Sequence, residues 1–424
     1  MTSDAGRVFV WTWLPGATDP VVAGALAPVG ATLNGEPVMA FRYAASYLAR
    51  PEAVSLYSPE LPLTDDTVDP RRIGGREPVP MPSCLRDAAP DAWGRRVINA
   101  RLVGHPDRTL DEATYLLGSG SNRIGAIDFQ ATPSEYVARD EDAGLEQLLQ
   151  LADLVEAGEP IPESLAAAAQ HGTSIGGARP KAMLVDGTRQ LIAKFPSSTD
   201  VRPVVQHEAV AMLLAARVGI DVPHVEVVPV AGRDVLLVER FDRVVGGDGS
   251  YHRRAMVSML TVLGMAEHSA RYASYAQMAE AIRARGWERV PETLRELFTR
   301  LVLNVCVGNT DDHLRNHAGF WSGDTLTLTP AYDVCPQVRS TDPASHAIGI
   351  AGPTDRASQL RSCRAVAPTF LLSRSDAEAV IDHVVSTITD SWAEVCDAAR
   401  LTAAQRESLL GREILNPYIH YDAA

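Results

Sequence analysis

Residues 309–316 read Asn-Thr-Asp-Asp-His-Leu-Arg-Asn, and a second acidic stretch, Ala-Tyr-Asp-Val, follows at 331–334. Asp311 and Asn316 are five residues apart, the D-x-x-x-x-N separation of a phosphoryl-transfer catalytic loop. Between Asn316 and Asp333 the segment 318–329 reads as a short hairpin turning at Gly323-Asp324. Loop, hairpin, aspartate is the order in which two-lobed phosphotransferases place the residue that orients a hydroxyl and the residues that hold magnesium. Magnesium keeps several waters, so one carboxylate and one amide oxygen with nucleotide phosphates complete its shell. Asp311 is therefore the expected catalytic residue, with Asn316 and Asp333 as metal ligands. Asp312 is a rival, but its separation from Asn316 is one residue short. The bland alternative makes Asp311 a helix cap and Asp333 a turn residue. A lone D-x-x-x-x-N is common, and it is the order of the three pieces that carries the reading.

The whole chain narrows the field further. Its 424 residues suffice for two or three units with substantial cores. A net charge of −14 argues against a broad nucleic-acid surface, which needs clustered Lys and Arg, and leaves DNA to local patches or a partner. The five cysteines are scattered without C-x-x-C spacing, which excludes a zinc ribbon or a thioredoxin motif and suits a reducing compartment. The apolar stretch 8–14 is too short for a secretion signal and lacks a basic lead. No run approaches the roughly 18–20 apolar residues of a membrane helix. A cytoplasmic protein without membrane contact is expected.

No internal repeat is present, and the only low-complexity patch is 166–169. The first ~130 residues are rich in Pro and Gly, a punctuation that separates short β-like pieces at 8–14, 37–43, 54–57 and 124–129. One helix interrupts them near 92–102, with Asp91 as N-cap. Residues 133–144 are polar and acidic and read as a linker before a helix at 145–156. Short strands at 182–185 and 190–195 are joined across Asp186-Gly187, a tight-hairpin signal. Val210, Leu213, Leu214 and Val218 lie on one face of a helix at 206–218 that ends at Gly219. Strands at 225–230 and 235–239 form another hairpin around Ala231-Gly232. Beyond Tyr251 nearly everything reads as helical except 318–329, and the 256–265 segment reads as a core helix. A helix at 292–305 delivers the chain into the 309–316 loop.

Other residues fit a nucleotide site. Lys194 sits in Leu-Ile-Ala-Lys-Phe, a strand otherwise wholly apolar, where an ammonium must reach solvent or meet an anion. In a kinase it holds the nucleotide phosphates, steadied by a helix carboxylate, for which Glu208 is the candidate. The segment His171-Gly-Thr-Ser-Ile-Gly-Gly-Ala-Arg-Pro-Lys181 has the small residues that let backbone N–H groups approach an anion. It is neither a Walker A loop nor G-x-G-x-x-G, and as a bare motif it equally suits a linker. Val238-Glu-Arg-Phe-Asp-Arg243 falls where an inter-lobe hinge belongs, though a charged strand end reads the same way. Competing chemistries fail: His207-Glu208 has no second His for H-E-x-x-H, and Gly118-Ser-Gly120 lacks the third glycine of a dinucleotide fingerprint. His313 and His317 are four apart, a metal pair if helical, but inside this loop they more naturally orient backbone.

Taken together, these residues resemble the HipA family of serine/threonine kinase toxins. The match is carried by Ser174-Ile-Gly-Gly-Ala-Arg-Pro-Lys181, Val238-Glu-Arg-Phe-Asp-Arg243, Asn309-Thr-Asp-Asp-His-Leu-Arg-Asn316 and Pro330-Ala-Tyr-Asp-Val334. Leu85-Arg-Asp-Ala-Ala-Pro-Asp-Ala-Trp-Gly-Arg-Arg96 and Asn122-Arg-Ile-Gly-Ala126 extend it toward the N-terminus, so that it spans about 35–340 in order.

The resemblance implies a catalytic role for Asp311 and magnesium binding by Asn316 and Asp333. It implies that Lys194 contacts ATP, with Gly176, Gly177 and Ala178 in the phosphate loop and Glu239 and Phe241 in the adenine hinge. It implies autophosphorylation of Ser174, which shuts the kinase off, as adding charge beside an anion site makes plausible. It further implies a HipB-like helix-turn-helix antitoxin that supplies the DNA contact, and a protein substrate such as an aminoacyl-tRNA synthetase. The first ~30 residues and those after about Ser373 match no motif.

The expected fold is α+β: a bilobal protein-kinase-like chain with a β-rich N-terminal subdomain at 1–132, an N-lobe at 133–243 and a helical C-lobe at 244–424. The expected activity is ATP- and Mg-dependent phosphorylation of protein Ser or Thr. Alternatives are a small-molecule kinase and a non-catalytic ATP-binding co-repressor.

Overall fold

The computed structural model describes residues 6–31, 35, 37–139, 143–171, 173, 177–246, 249–284, 286–339, 341 and 343–421. They form two compact units. The first takes in Met1–Asp200, Pro229–Val257 and Phe320–Asp324, and the second Val201–Val228, Ser258–Gly319 and Thr325–Ala424.

The first unit begins with an antiparallel sheet of β1 (Val8–Thr12), β2 (Val21–Ala31), β3 (Pro37–Tyr43) and β4 (Ile127–Gln130), in the order β3-β2-β1-β4. Val8, Val10, Leu26, Phe41 and Phe129 are fully buried and make its core. β2 escapes the sequence reading because its Ala- and Gly-rich run does not alternate. Residues 54–57 form no strand but only an isolated bridge between Tyr57 and Leu61. The piece expected at 124–129 starts later, because Gly125 turns the chain at φ +75°.

The helix Ala92–Val103 lies where expected, and Leu145–Ala157 follows. Asp91 occupies the N-cap position, yet its carboxylate makes no capping bond there. It accepts the Gly177 N–H instead, at 3.0 Å. A sequence cannot distinguish these uses, since the distant donor arrives only through folding.

A second sheet contains β5 (Lys181–Asp186), β6 (Arg189–Lys194), β7 (Val225–Val230) and β8 (Arg233–Glu239), in the order β5-β6-β8-β7. The β5–β6 register pairs Asp186 with Arg189, so the turn residues are Gly187 and Thr188, one position later than expected. Gly187 supplies the positive φ that such a turn requires.

The second unit is built around the helix Val290–Val307. Leu294, Leu297, Phe298, Leu301, Val302 and Val305 are fully buried along it, and Phe298 meets Phe370 edge-on at 5.4 Å. The helix Val204–Val218 packs against Arg374–Ala398, which starts from a capping box of Ser373 and Asp376. His383 Nε2 meets the Val218 carbonyl at 3.0 Å, and Arg217 pairs with Glu394.

The half beyond residue 243 carries more extended chain than its periodicity suggests. β9 (Arg243–Val245) pairs with β10 (Tyr251–Arg253). β11 (Met256–Ser258), β12 (Ala318–Trp321) and β13 (Leu326–Leu328) add a small sheet. The 256–265 segment is thus strand first, and helical only over Met259–Leu263. Among the described residues no helix is long and apolar enough to cross a membrane.

Candidate active site

The helix Val290–Val307 ends at Gly308, whose φ of +69° ends the last turn in the left-handed region. A Cβ there would stand 2.6 Å from the Glu413 carbonyl oxygen, so both conformation and space demand glycine. The chain then enters the 309–316 loop, closed by a 3-10 turn at Leu314–Asn316.

Two neighbouring aspartates in this loop have opposite surroundings. Asp311 is exposed, whereas Asp312 is buried. Asp312 Oδ2 accepts from the Tyr275 hydroxyl and meets His317 Nε2 at 2.8 Å. The Tyr275 hydroxyl in turn accepts from Asn304 Nδ2 at 2.9 Å, and Asn304 Oδ1 accepts from Asn309 Nδ2 at 3.0 Å. This chain of bonds runs from the Val290–Val307 helix through the loop and fixes its floor. Burial alone would push the Asp312 carboxyl up, but the His317 imidazole and the Tyr275 hydroxyl outweigh it and hold Asp312 below the usual carboxylate range. His317 is thereby an orienting residue, and the pair His313/His317 is not set up as a metal site.

Asp311 shifts the other way. Its side chain reaches solvent, yet the surrounding protein strips enough water to raise its pKa. The nearby His313 opposes the shift, while the carboxylates of Asp333 and Asp312 add to it. Asp333 is thus an electrostatic neighbour of Asp311. Asp333 adopts φ +61°, a left-handed conformation that Asp tolerates better than most residues but still at a cost. Such strain persists where the surroundings dictate it. Here the Tyr332 hydroxyl donates to the Arg315 carbonyl at 2.6 Å, and Gln337 N donates to the Gly308 carbonyl at 2.9 Å. The two segments are stitched together on either side of Asp333.

Asn316 is buried, with its N–H on the His313 carbonyl at 2.8 Å. Among the described residues no three His, Cys, Asp or Glu side chains form a self-contained metal cage. Asn316 and Asp333 offer hard oxygen donors, which fits a magnesium ion that takes the rest of its shell from phosphate and water. Glu208 is also in this unit, buried on the Val204–Val218 helix.

The remaining candidates lie in the first unit. Lys194 of β6 is directly opposite Lys181 of β5, so two ammonium-bearing side chains share one face of the sheet. The sequence points to Lys194 alone, because only the register reveals its pairing. Lys181 lies close against Gly177: a Cβ on that glycine would stand 2.2 Å from the Lys181 Nζ.

The loop is gripped on both flanks. Gly120 N donates to Thr173 Oγ1 at 2.8 Å, while Trp93 N donates to the Gly177 carbonyl at 3.0 Å. Gly177 and Ala178 are described, whereas Ser174 and Gly176 lie outside the described residues. Glu239 ends β8, paired with Leu191 of β6, and Phe241 packs edge-on against Phe320 at 5.9 Å.

A β-rich first unit with a basic strand pair and a helical second unit with an Asp-Asn-Asp loop define an α+β, bilobal kinase-like fold. The same fold is seen along the whole length of HipA from Shewanella oneidensis MR-1, solved in complex with HipB and operator DNA. The TM-score is 0.66 at 18% identity, covering 98% of this chain and 100% of that one. The family description "HipA-like C-terminal domain" matches residues 173–392, more than half of the chain, and "HipA N-terminal domain" matches 21–130. The chain belongs to the HipA family.

Two sequence relatives are named as candidate kinases. Y4mE of Sinorhizobium fredii is 30% identical over 239 residues, covering 51% of this chain and 53% of the relative. A Haemophilus influenzae protein is 27% identical over 183 residues, covering 39% of this chain and 52% of the relative. The matches span about half the length of each relative.

Proposed function

We propose that this chain is an ATP- and magnesium-dependent protein serine/threonine kinase, the toxin of a toxin–antitoxin pair. The observation that carries the reading is the contrast between the adjacent aspartates: Asp312 is locked beneath the loop, while Asp311 is exposed beside Asp333 with a raised pKa. A carboxylate so placed orients an acceptor hydroxyl and takes up its proton. Asn316 and Asp333 would hold magnesium, which neutralises developing phosphate charge. Lys194 and the loop containing Gly176, Gly177 and Ala178 hold phosphates, with Glu208 steadying the lysine, and Glu239 and Phe241 form the adenine hinge. Catalysis is then chiefly positioning and charge stabilisation.

Division into an N-terminal subdomain to about 132, an N-lobe to about 243 and a C-lobe is part of the same reading. The substrate is a protein hydroxyl, an aminoacyl-tRNA synthetase being the first to test, and a HipB-like helix-turn-helix antitoxin is the partner that touches DNA. Ser174 is the proposed self-phosphorylated off-switch, detectable by mass spectrometry after incubation with Mg-ATP. The decisive experiment is phosphate transfer by purified protein: Asp311→Asn should lower it at least about 100-fold. An unchanged rate removes Asp311 from catalysis. Labelling of a sugar or alcohol with no labelled protein favours a small-molecule kinase, and ATP binding without any transfer favours a co-repressor.

A further inference from the structure

The motif Asn122-Arg-Ile-Gly-Ala126 has no role in the reading above, yet it lies against the proposed adenine hinge within the same unit. Asp242, three residues past the end of β8 and buried, is chelated by its neighbours. Arg240 Nε and Nη2 donate to its two carboxylate oxygens at 2.9 and 2.6 Å, and Arg243 Nη1 donates at 2.9 Å. Two guanidinium groups around one carboxylate leave an excess positive charge out of water, which is costly unless further acceptors surround it.

The 122–125 turn supplies those acceptors. Asn122 Oδ1 accepts from Arg240 Nη1 at 2.7 Å and from Arg243 Nη2 at 3.1 Å. The Arg123 carbonyl accepts from Arg240 Nη2 at 2.7 Å and from Arg243 Nη2 at 2.5 Å. The Gly125 carbonyl accepts from Arg243 at 3.0 Å, and the Gly125 N–H donates back to Asp242 at 2.7 Å. That exchange needs the positive φ of Gly125. Arg240 N also donates to the Gln190 carbonyl of β6, and Asn122 Nδ2 donates to the Gln190 side chain at 3.2 Å.

Phe241 lies between two residues held in this way, so its backbone cannot shift without breaking bonds to the turn. We propose that the 122–125 turn positions the 239–241 hinge for the adenine of a bound nucleotide, with Asn122 as the positioning residue whose side-chain oxygen both hinge arginines share. The N-terminal segment is then a working part of the nucleotide site. The inference rests on the kinase reading.

The test is Mg-ATP binding by the full chain, measured by calorimetry, together with ATP kinetics. Asn122→Ala removes the shared acceptor and should raise Kd and KM for ATP about 5- to 20-fold, with kcat within about twofold. Asn122→Asp keeps the acceptor and should restore binding to within about twofold of wild type. A folded Asn122→Ala protein with wild-type Kd overturns the inference. Should that variant not fold, Asn122→Ser, which shortens the acceptor, decides in its place: a higher Kd supports the inference and wild-type affinity overturns it. Failure of the wild-type chain itself to bind Mg-ATP overturns the kinase reading and this inference with it. Binding by wild type with an indifferent Asn122 overturns the inference alone.

Discussion

Asp311 and Asp312 differ by one position and by almost everything else. For Asp311 the raised pKa means that its ionised form is disfavoured in the folded protein. Its contribution to stability is therefore present at acid pH and lost as pH rises through its shifted value. At neutral pH its charge costs stability. Asp311→Asn should leave the melting temperature equal to or above wild type while transfer is lost, the usual exchange of stability for function at a working site. For Asp312 the lowered pKa gives the opposite sign: its stabilising effect is present above the ordinary carboxylate value and lost as pH falls through the shifted one. Asp312→Asn should destabilise by about 3 kcal/mol in urea unfolding, because it breaks a buried pair with His317. Equal melting curves for the two variants would remove this division of labour. Spacing in the sequence favours Asp311, but that Asp312 serves the loop from below is written in no local pattern. Its partner Tyr275 comes from elsewhere in the chain and is held in turn by Asn304.

Helices with strong periodicity and clear stops are legible from the sequence, often to within two residues. The Val204–Val218 helix ends at Gly219 as read, and the Val290–Val307 helix leads into the loop as read. Gly308 joins helix to loop, and the left-handed conformation alone makes Gly308→Ala cost about 1–2 kcal/mol. The clash with the Glu413 carbonyl adds to that. Thermal unfolding of Gly308→Ala should show a lower melting temperature and transfer should fall with it; a neutral result would mean that the loop tolerates a rebuilt entry. Less legible are β2, whose small residues do not alternate, and the short β9–β11 pieces, which extend only because other strands pair with them. Asp91 shows the limit of local rules: the N-cap position is right, but its carboxylate serves Gly177.

At the scale of the whole molecule, buried histidines set the response to acid. His207 and His346 are both buried, and among the described residues none of their ring nitrogens has a hydrogen-bond partner. Desolvation pushes each down to about 4. The unfolded chain binds protons near pH 6.5 where the folded one does not, so stability is full above that pH and falls as pH drops through 4. Each ring can contribute up to about 3 kcal/mol to that loss. The urea midpoint should fall between pH 6.5 and 4, and His207→Leu should flatten the slope; an unchanged slope would exclude His207 as a source.

The sequence alone determined the chemistry on offer. The Asp-Asn-Asp order, the lysine-bearing strand and the family are all readable, because spacing along one loop and one hairpin is a local property. Tertiary structure decided which of two aspartates is exposed and which is buried, that Lys181 stands opposite Lys194, and that the 122–125 turn holds Arg240 and Arg243. The reason is physical: burial, strand register and charge compensation are set by residues that are not neighbours along the chain, 37 positions apart for Tyr275 and Asp312 and 118 for Asn122 and Arg240, and only folding brings them within bonding distance.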